Sequence, residues 1–402
     1  MSNSQQVLDR ASKVLIGNYA RQPVVMARGR GSDLWDADGK QYLDLFAGFG
    51  GAILGHCHPA VIDAATTQMA KLWHVGNTYH TEPQVEFAER LNRTAFSGQA
   101  FFCHSGLEAN EAACKLARLR GQEFSPKRWK IVSLGKSFHG RSLAMIAATG
   151  NPAIGQGFGP EVPGFVHVEP GNVQALEKAL DPEVAGIIME PIQGEGGVNL
   201  HPPDYAANVR RLCDDRSLSL IFDEVWTGCG RTGRWFGYQH FQSPQGNAVE
   251  PDILTLGKAI GGGLPVGAMF AKPDTAKLLV PGKHGCTLGG NPVCMAVART
   301  IFDVIERDRL LAHAAALGEH AIARLREEKS IGAKVHDVRG RGLMLGIELN
   351  APPQKLVERG LDHGILINLT AQKVIRLAPA LTISADQWDR GLDVLIKTIQ
   401  SV

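Results

Sequence analysis

The sequence predicts an α/β protein: a large unit on a mostly parallel sheet, with a smaller α+β unit built from both chain ends. Three observations predict it. From about residue 100 to 270, short apolar runs alternate with helical stretches, the pattern of a parallel sheet covered on both faces. After Asn291-Pro292 two long helices lead into a strand-rich tail. Near the start, residues 24–45 read as short strands turning at Asp36-Ala37-Asp38-Gly39. These strands have no place in the parallel sheet, so they are expected to pack with the tail.

A chain of 402 residues holds one large domain and a smaller one. The expected divisions are 1–50, packing with the small unit, 51–292 as the large unit, and 293–402 as the small one. In order, residues 1–20 read as a helix and a loop, and 59–72 and 84–94 carry helical periodicity. A strand at 100–103 runs into a helix from 105 to 120. Further strands are expected at 130–133, 164–168, 185–190, 218–223 and 266–270, with helices near 173–180 and 203–214. Helices near 292–306 and 308–328 then precede strands at 334–338, 343–348 and 373–377, with helices near 353–359 and 386–399.

Composition narrows the function classes. A hydrophobic fraction of 44% and a charged fraction of 20% are those of a soluble globular protein. A net charge of +2 offers no field for nucleic acid or a membrane surface. No apolar run approaches the roughly 18 residues of a membrane span. The first residues lack the basic and apolar regions of a signal peptide, so a cytoplasmic protein is expected. The seven cysteines form no CxxC pair, which suits a reducing compartment. His56-Cys57-His58 lacks the spaced second pair of a zinc site, so no metal is expected.

The chemistry centres on Lys258. In 251–270 the only ionisable side chains are Asp252 and Lys258, amid glycines and apolar residues. Such a lysine is either a solvated loop residue or a desolvated amine poised as a nucleophile. Asp223 ends an apolar strand, where ligands gather in open α/β sheets. It either caps a turn or holds a protonated ring nitrogen. Ser105-Gly106-Leu107 opens a helix, which is an ordinary cap or a phosphate site. Phe138 and Arg141 set a stacking ring near a guanidinium. Arg376 in an apolar tail strand needs a partner or a ligand carboxylate. Glu190 and Glu195 come after another strand. Gly228-Cys229-Gly230-Arg231-Thr232-Gly233 fits GxGxxG, but residues 231–237 are poor helix material, so a dinucleotide site is disfavoured. A lysine amine, a ring-nitrogen carboxylate, a stacking aromatic and a phosphate cup together suit pyridoxal phosphate.

At this point the sequence resembles a known family, the class III (ω-amino) aminotransferases of the fold-type I pyridoxal-phosphate enzymes. The resemblance runs from Asn18-Tyr19 to the tail. It rests on LWDADGKQYLD (34–44), LGHCHPAV (54–61), GNTYHTEPQ (76–84), SGLEANEA (105–112), FHGRS (138–142), EPIQGEGGV (190–198), FDEVWTGCGRTG (222–233), PDILTLGKAIGGGLPVGA (251–268), HGCTLGGNP (284–292) and RLAPAL (376–381). It implies that Lys258 forms the covalent aldimine with pyridoxal 5'-phosphate, Asp223 pairs with the ring nitrogen and Phe138 stacks on the ring. Ser105, Gly106 and Leu107 then belong to the phosphate site, Glu190 to the ring's polar edge, and Glu224, Val225 and Trp226 to the cofactor's surroundings. Thr287 reaches the phosphate of the other subunit, implying a homodimer with shared sites. Arg141 takes the carboxylate distal to the reacting amine, and Arg376 the α-carboxylate of glutamate or 2-oxoglutarate. Glu195 neutralises Arg376 when the ω-amino donor is bound. Tyr19, Phe49 and Cys286 line the substrate path.

The implied reaction is ping-pong transfer from N2-acetylornithine to 2-oxoglutarate, in arginine biosynthesis. Succinylornithine, N-succinyl-diaminopimelate, ornithine and 4-aminobutyrate are the next donors. An aminomutase or decarboxylase would share Lys258 and Asp223, and an NAD-dependent oxidoreductase rests only on the glycine motif. Three positions depart from the family pattern: Leu107 stands for a threonine, Trp226 for a glutamine that bonds the ring's phenolic oxygen, and Cys286 for a serine or threonine.

Overall fold

The computed structural model describes residues 3–402. Its centre is a seven-stranded sheet in the order Gln99–Cys103, Gly267–Ala271, Ile253–Leu256, Ser219–Asp223, Val184–Met189, Lys130–Leu134 and Phe165–Val168. Ladders among the last five strands are all parallel, while Gly267–Ala271 runs antiparallel to both of its neighbours. The strands are mostly apolar; Val184–Met189 and Ser219–Asp223 are buried at every position, as a sheet covered on both faces requires.

Ile253–Leu256 was not among the expected strands. It is short, and the glycine-rich run after it hides its end. The sheet shows its place, with Ile221 opposite Ile253 and Asp223 opposite Thr255. Asn368–Thr370 is another unexpected strand, on the edge of the antiparallel sheet Val335–Arg341, Met344–Leu349, Val374–Leu377, Asn368–Thr370.

The N-terminal strands Met26–Arg30, Asp33–Asp36 and Gln41–Asp44 form a third sheet, closed by Ile365–Leu366 from the tail. The two chain ends are tied further where the N–H of Ala378 donates to Leu45 O at 2.8 Å and that of Leu381 to Ile53 O at 2.8 Å. Helix ends follow their side chains. Asn291 accepts from the N–H of Val293 ahead of Pro292–Arg307, which starts on proline. Ser384 and Gln387 cap Ala385–Gln400 reciprocally. On that last helix Trp388 is fully buried, its indole N–H donating to Leu317 O at 3.1 Å.

The glycine motif at 228–233 belongs to this packing. Gly230 and Gly233 both adopt φ of +85°, a left-handed backbone that glycine takes without strain. Between them Arg231 is buried and donates through Nη1 to Leu343 O at 3.1 Å and to Pro379 O. Burial pushes its pKa down to about 10. The motif therefore seats the tail against the large sheet and opens no helix.

Trp388→Ala should lower stability by about 3–5 kcal/mol through cavity formation. A fall in the urea unfolding midpoint checks this, and an unchanged midpoint refutes it.

Candidate active site

The carboxyl ends of the parallel strands meet at a cavity of about 400 Å³, the position where open α/β sheets bind ligands. Four strand ends deliver its polar and aromatic groups. Lys130–Leu134 leads to Phe138 and Arg141, Val184–Met189 to Glu190, Ser219–Asp223 to Asp223 itself, and Ile253–Leu256 to Lys258. The N-terminus of helix Gly106–Gly121 closes one wall.

Asp223 is the hub. Its Oδ2 accepts from Asn110 Nδ2 at 2.7 Å and lies 2.8 Å from Nδ1 of the buried His139. Its Oδ1 accepts from the N–H of Val225 at 3.0 Å. Asn110 is oriented in turn, because its Oδ1 accepts from Thr255 Oγ1 at 2.6 Å and its amide also donates to His139 O at 2.8 Å. No role for Asn110, His139 or Thr255 was expected from the sequence. A signal existed for Asn110: it sits among the small and apolar residues of the buried side of its helix, and a buried amide needs partners.

Lys258 comes two residues after its strand and holds φ of +42°, a costly backbone state for a residue with a side chain. Desolvation lowers its pKa from the ordinary lysine value, opposed by the charges of Glu195 and Asp223. Its approach depends on Gly257, where an added Cβ would meet the N of Gly106 at 2.8 Å. Gly106 itself has no room for a side chain, since a Cβ there would meet Val225 Cγ2 at 2.4 Å. The strand end and the helix start thus touch through backbone.

At that helix start the first N–H groups have no acceptor within the helix. The Ser105 hydroxyl accepts from the N–H of Glu108 at 3.3 Å, leaving those of Gly106 and Leu107 at the cavity wall. An anion cup, a nearby amine and a carboxylate acceptor at the cavity base fit pyridoxal phosphate in donor type and placement. Ser105 lines the cavity beside them, with its hydroxyl hydrogen-bonded to Glu108.

Glu190 is buried, accepting from the N–H of Phe138 at 2.9 Å and of Gly194 at 3.0 Å. Desolvation pushes its pKa up to about 7. Arg376 is buried to 1% exposure and lies 3.0 Å from Glu195 Oε1 and 3.0 Å from Gly194 O. Its guanidinium stacks 4.0 Å from the Trp226 ring, and Lys258 Nζ lies 4.8 Å from the same ring. Gly194 makes the indole possible, as a Cβ there would meet Trp226 Cε3 at 2.1 Å. The indole N–H donates to Phe49 O, so Trp226 presents no donor to the cavity. Arg141 is exposed at the rim, 5.6 Å from the Phe138 ring, with no ion-pair partner among the described residues.

Not every predicted residue reaches the cavity wall. Phe49 stands 5.9 Å from the Arg376 guanidinium and is 51% exposed. Tyr19 is exposed under Arg21. Thr287 is exposed and away from this chain's cavity. Glu224 is a correction to the expected site, because its carboxylate turns away from the cavity and accepts from the N–H groups of Gly237 and Tyr238 at 2.8 Å and 2.6 Å and from Thr227 Oγ1. Neighbourhood in sequence to Asp223 placed it in the site; alternation along extended chain sends it to the other side. Cys286 lies outside the wall too, with its Sγ 3.4 Å from His104 Nδ1.

The family described as "Aminotransferase class-III" matches residues 16–399. The chain belongs to the class-III aminotransferases. These are pyridoxal-phosphate enzymes, in keeping with the cavity's donor set. Among similar proteins, the acetylornithine aminotransferase of Aquifex aeolicus is 42% identical over 382 residues, covering 95% of this chain and 98% of the relative. That of Myxococcus xanthus is 39% identical, covering 96% of each. Among solved structures, the ornithine aminotransferase of Toxoplasma gondii superposes with a TM-score of 0.94 at 32% identity, covering 100% of this chain and 95% of that one. The acetylornithine aminotransferase of Elizabethkingia anophelis does so with a TM-score of 0.87 at 30% identity, covering 100% of both. The likeness extends across the fold, so the expected fold-type I architecture holds for this class-III aminotransferase.

Glu224 generates a pH prediction. Burial raises its pKa from 4.5 to about 7. The folded state therefore favours the neutral acid, a contribution fully present below pH 4.5 and lost as pH rises through about 7. Glu224→Gln should flatten the decline in urea midpoint across that interval; a decline equal to that of the wild type refutes the assignment.

Proposed function

We propose that this class-III aminotransferase moves the ω-amino group of N2-acetylornithine to 2-oxoglutarate, giving N-acetylglutamate 5-semialdehyde and glutamate in two half-reactions. The observation that carries the reading is the Arg376–Glu195 pair, 3.0 Å apart at the edge of the cavity that holds Lys258. The donor's reacting carbon carries a hydrogen where glutamate carries its α-carboxylate, so Glu195 stays on Arg376 and neutralises it. With 2-oxoglutarate, the substrate's α-carboxylate takes the place of Glu195. A hydrogen bond to a charged group contributes about 1.5–3 kcal/mol, so one exchange of carboxylates is close to balanced. Arg141, exposed at the rim, takes the carboxylate at the far end of either substrate. The names of the similar acetylornithine aminotransferases support this choice of donor.

Bound pyridoxal phosphate supplies an electron sink for the carbon that loses its proton. Gly106 and Leu107 would hold its phosphate, Phe138 and Val225 would flank its ring, and Asp223 would hold its ring nitrogen. Lys258 would anchor it through its amine, whose pKa desolvation lowers from the ordinary lysine value. The Lys258 amine, which lines the cavity, would serve as the base and then the acid that moves the substrate's proton. Asn110 and His139 hold Asp223 in place for the ring nitrogen. Trp226 covers one face of the Arg376 guanidinium.

The reading includes a homodimer, because Thr287 and Leu288 are exposed and away from this chain's own cavity, where a second copy can use them. It places the enzyme in the cytoplasm and in arginine biosynthesis.

A donor panel with 2-oxoglutarate tests the substrate. kcat/KM for N2-acetylornithine should exceed that for ornithine and 4-aminobutyrate by at least about 10-fold, the range one recognised group provides; a higher value for either competitor overturns the choice. Lys258→Ala should lower turnover by at least about 10³-fold and abolish the visible absorbance of the bound cofactor. Arg376→Ala should slow the glutamate half-reaction roughly 10- to 150-fold, the rate equivalent of the lost charge-assisted bond, and the ω-amine half-reaction much less. Equal losses in single-turnover assays would remove the carboxylate exchange from the mechanism.

A further inference from the structure

Beside the helix start, at the edge of the cavity that holds Lys258, three side chains of different chemistry converge, of which His104 lines the cavity and Glu108 and Cys286 lie behind it. His104 lies in the turn after strand Gln99–Cys103, Glu108 in the first turn of helix Gly106–Gly121, and Cys286 sits 182 positions from His104 on a loop. One donor atom from each lies within 4.8 Å of the others. His104 Nδ1 is 3.1 Å from Glu108 Oε1 and 3.4 Å from Cys286 Sγ, and Cys286 Sγ is 3.7 Å from Glu108 Oε1.

We propose that His104, Glu108 and Cys286 bind zinc or a chemically similar divalent cation, a site that transamination does not use and that stands independently of the substrate assignment. Imidazole nitrogen, carboxylate oxygen and thiolate sulfur are all zinc ligands. Their usual bond lengths at tetrahedral angles separate the donor atoms by about 3.3–3.7 Å. The three observed edges bracket that range, so an ion fits against this face with little movement, its fourth position open to water.

The donors are held from behind, as metal ligands generally are. Glu108 Oε2 accepts from the N–H of His104 at 2.9 Å and from Ser105 Oγ at 3.1 Å, which turns Oε1 toward the cluster. The Cys286 loop is pinned by Asn77, whose Nδ2 donates to Cys286 O and to Gly289 O at 2.9 Å each. Gly289 lets the loop lie on the strand, since a Cβ there would meet Phe102 O at 2.2 Å and Cys286 Sγ at 2.9 Å. On binding, a zinc–sulfur bond forms, the thiol proton leaves to solvent, and the imidazole proton moves to Nε2; no electron is transferred. The ion would tie the loop carrying Thr287 to the turn carrying Ser105 and Gly106.

The test uses the cofactor-loaded enzyme, dialysed to equilibrium against buffered zinc, with bound metal measured per chain. The wild type should hold one zinc per chain that Cys286→Ser lacks, while His104→Asn and Glu108→Gln bind at least about 10-fold more weakly. Retained cofactor absorbance in each variant shows that the fold and cup persist. Cys294→Ser, on a cysteine outside the cluster, should keep the full zinc content. Equal zinc in the wild type and Cys286→Ser, or none in the wild type, overturns the site. A variant that loses its cofactor is replaced by a thermal readout on the wild type, where zinc should raise the unfolding midpoint; no rise overturns the site as well.

Discussion

The carboxylate of Asp223 is the constraint on which the rest of the site depends. It lies at a buried strand end, where an acceptor without donors would be costly. Three groups from three different elements supply those donors: Asn110 from the helix, His139 from the loop after Lys130–Leu134, and the backbone of Val225. Thr255, opposite Asp223 in the sheet register, fixes the amide of Asn110. Satisfying one carboxylate therefore positions the helix whose first residues line the cavity and the loop that offers Phe138 and Arg141. The placement of the cofactor groups follows from hydrogen-bond saturation of a single buried acid.

The second constraint is backbone contact between Gly257 and Gly106. It sets the amine of Lys258 against the cup, in an environment that disfavours its charge. Glu195 and Arg376 form an ion pair beside it. Arg376 is nearly fully buried, yet its partner Glu195 keeps 33% of its side chain exposed. A carboxylate with one side in solvent can leave, whereas a sealed one cannot, and that asymmetry is what the proposed exchange of carboxylates requires. Trp226 adds to it by covering the guanidinium with an aromatic face.

Much of the site was legible in the residues. Lys258 stood out because its neighbours offered no partner, and Asp223 because it ended a buried apolar run. Arg376 was legible for the opposite reason, a charge in a strand that had no use for one. Glu224 shows where adjacency misleads: one residue from Asp223, it belongs to a buried turn at 236–238 and not to the cavity. His139 and Asn110 were inside recognisable motifs, but their function lies in whom they touch. The strand Ile253–Leu256 went unread because four residues before a glycine run carry no distinguishing period.

By itself, the sequence determined the fold class, the family and the chemical kinds present: an isolated lysine, a strand-end carboxylate, a helix starting just after a strand, and two arginines. Those properties are local, set by periodicity, by burial pattern and by the scarcity of charges along short stretches. Only the tertiary structure decided which polar groups satisfy one another. It joined His139 and Asn110 to Asp223, stacked Trp226 on Arg376, and brought Cys286 to His104 across 182 positions. Hydrogen bonds and ion pairs act over a few ångströms in space, and the distance along the chain between their partners leaves no periodic trace in the sequence.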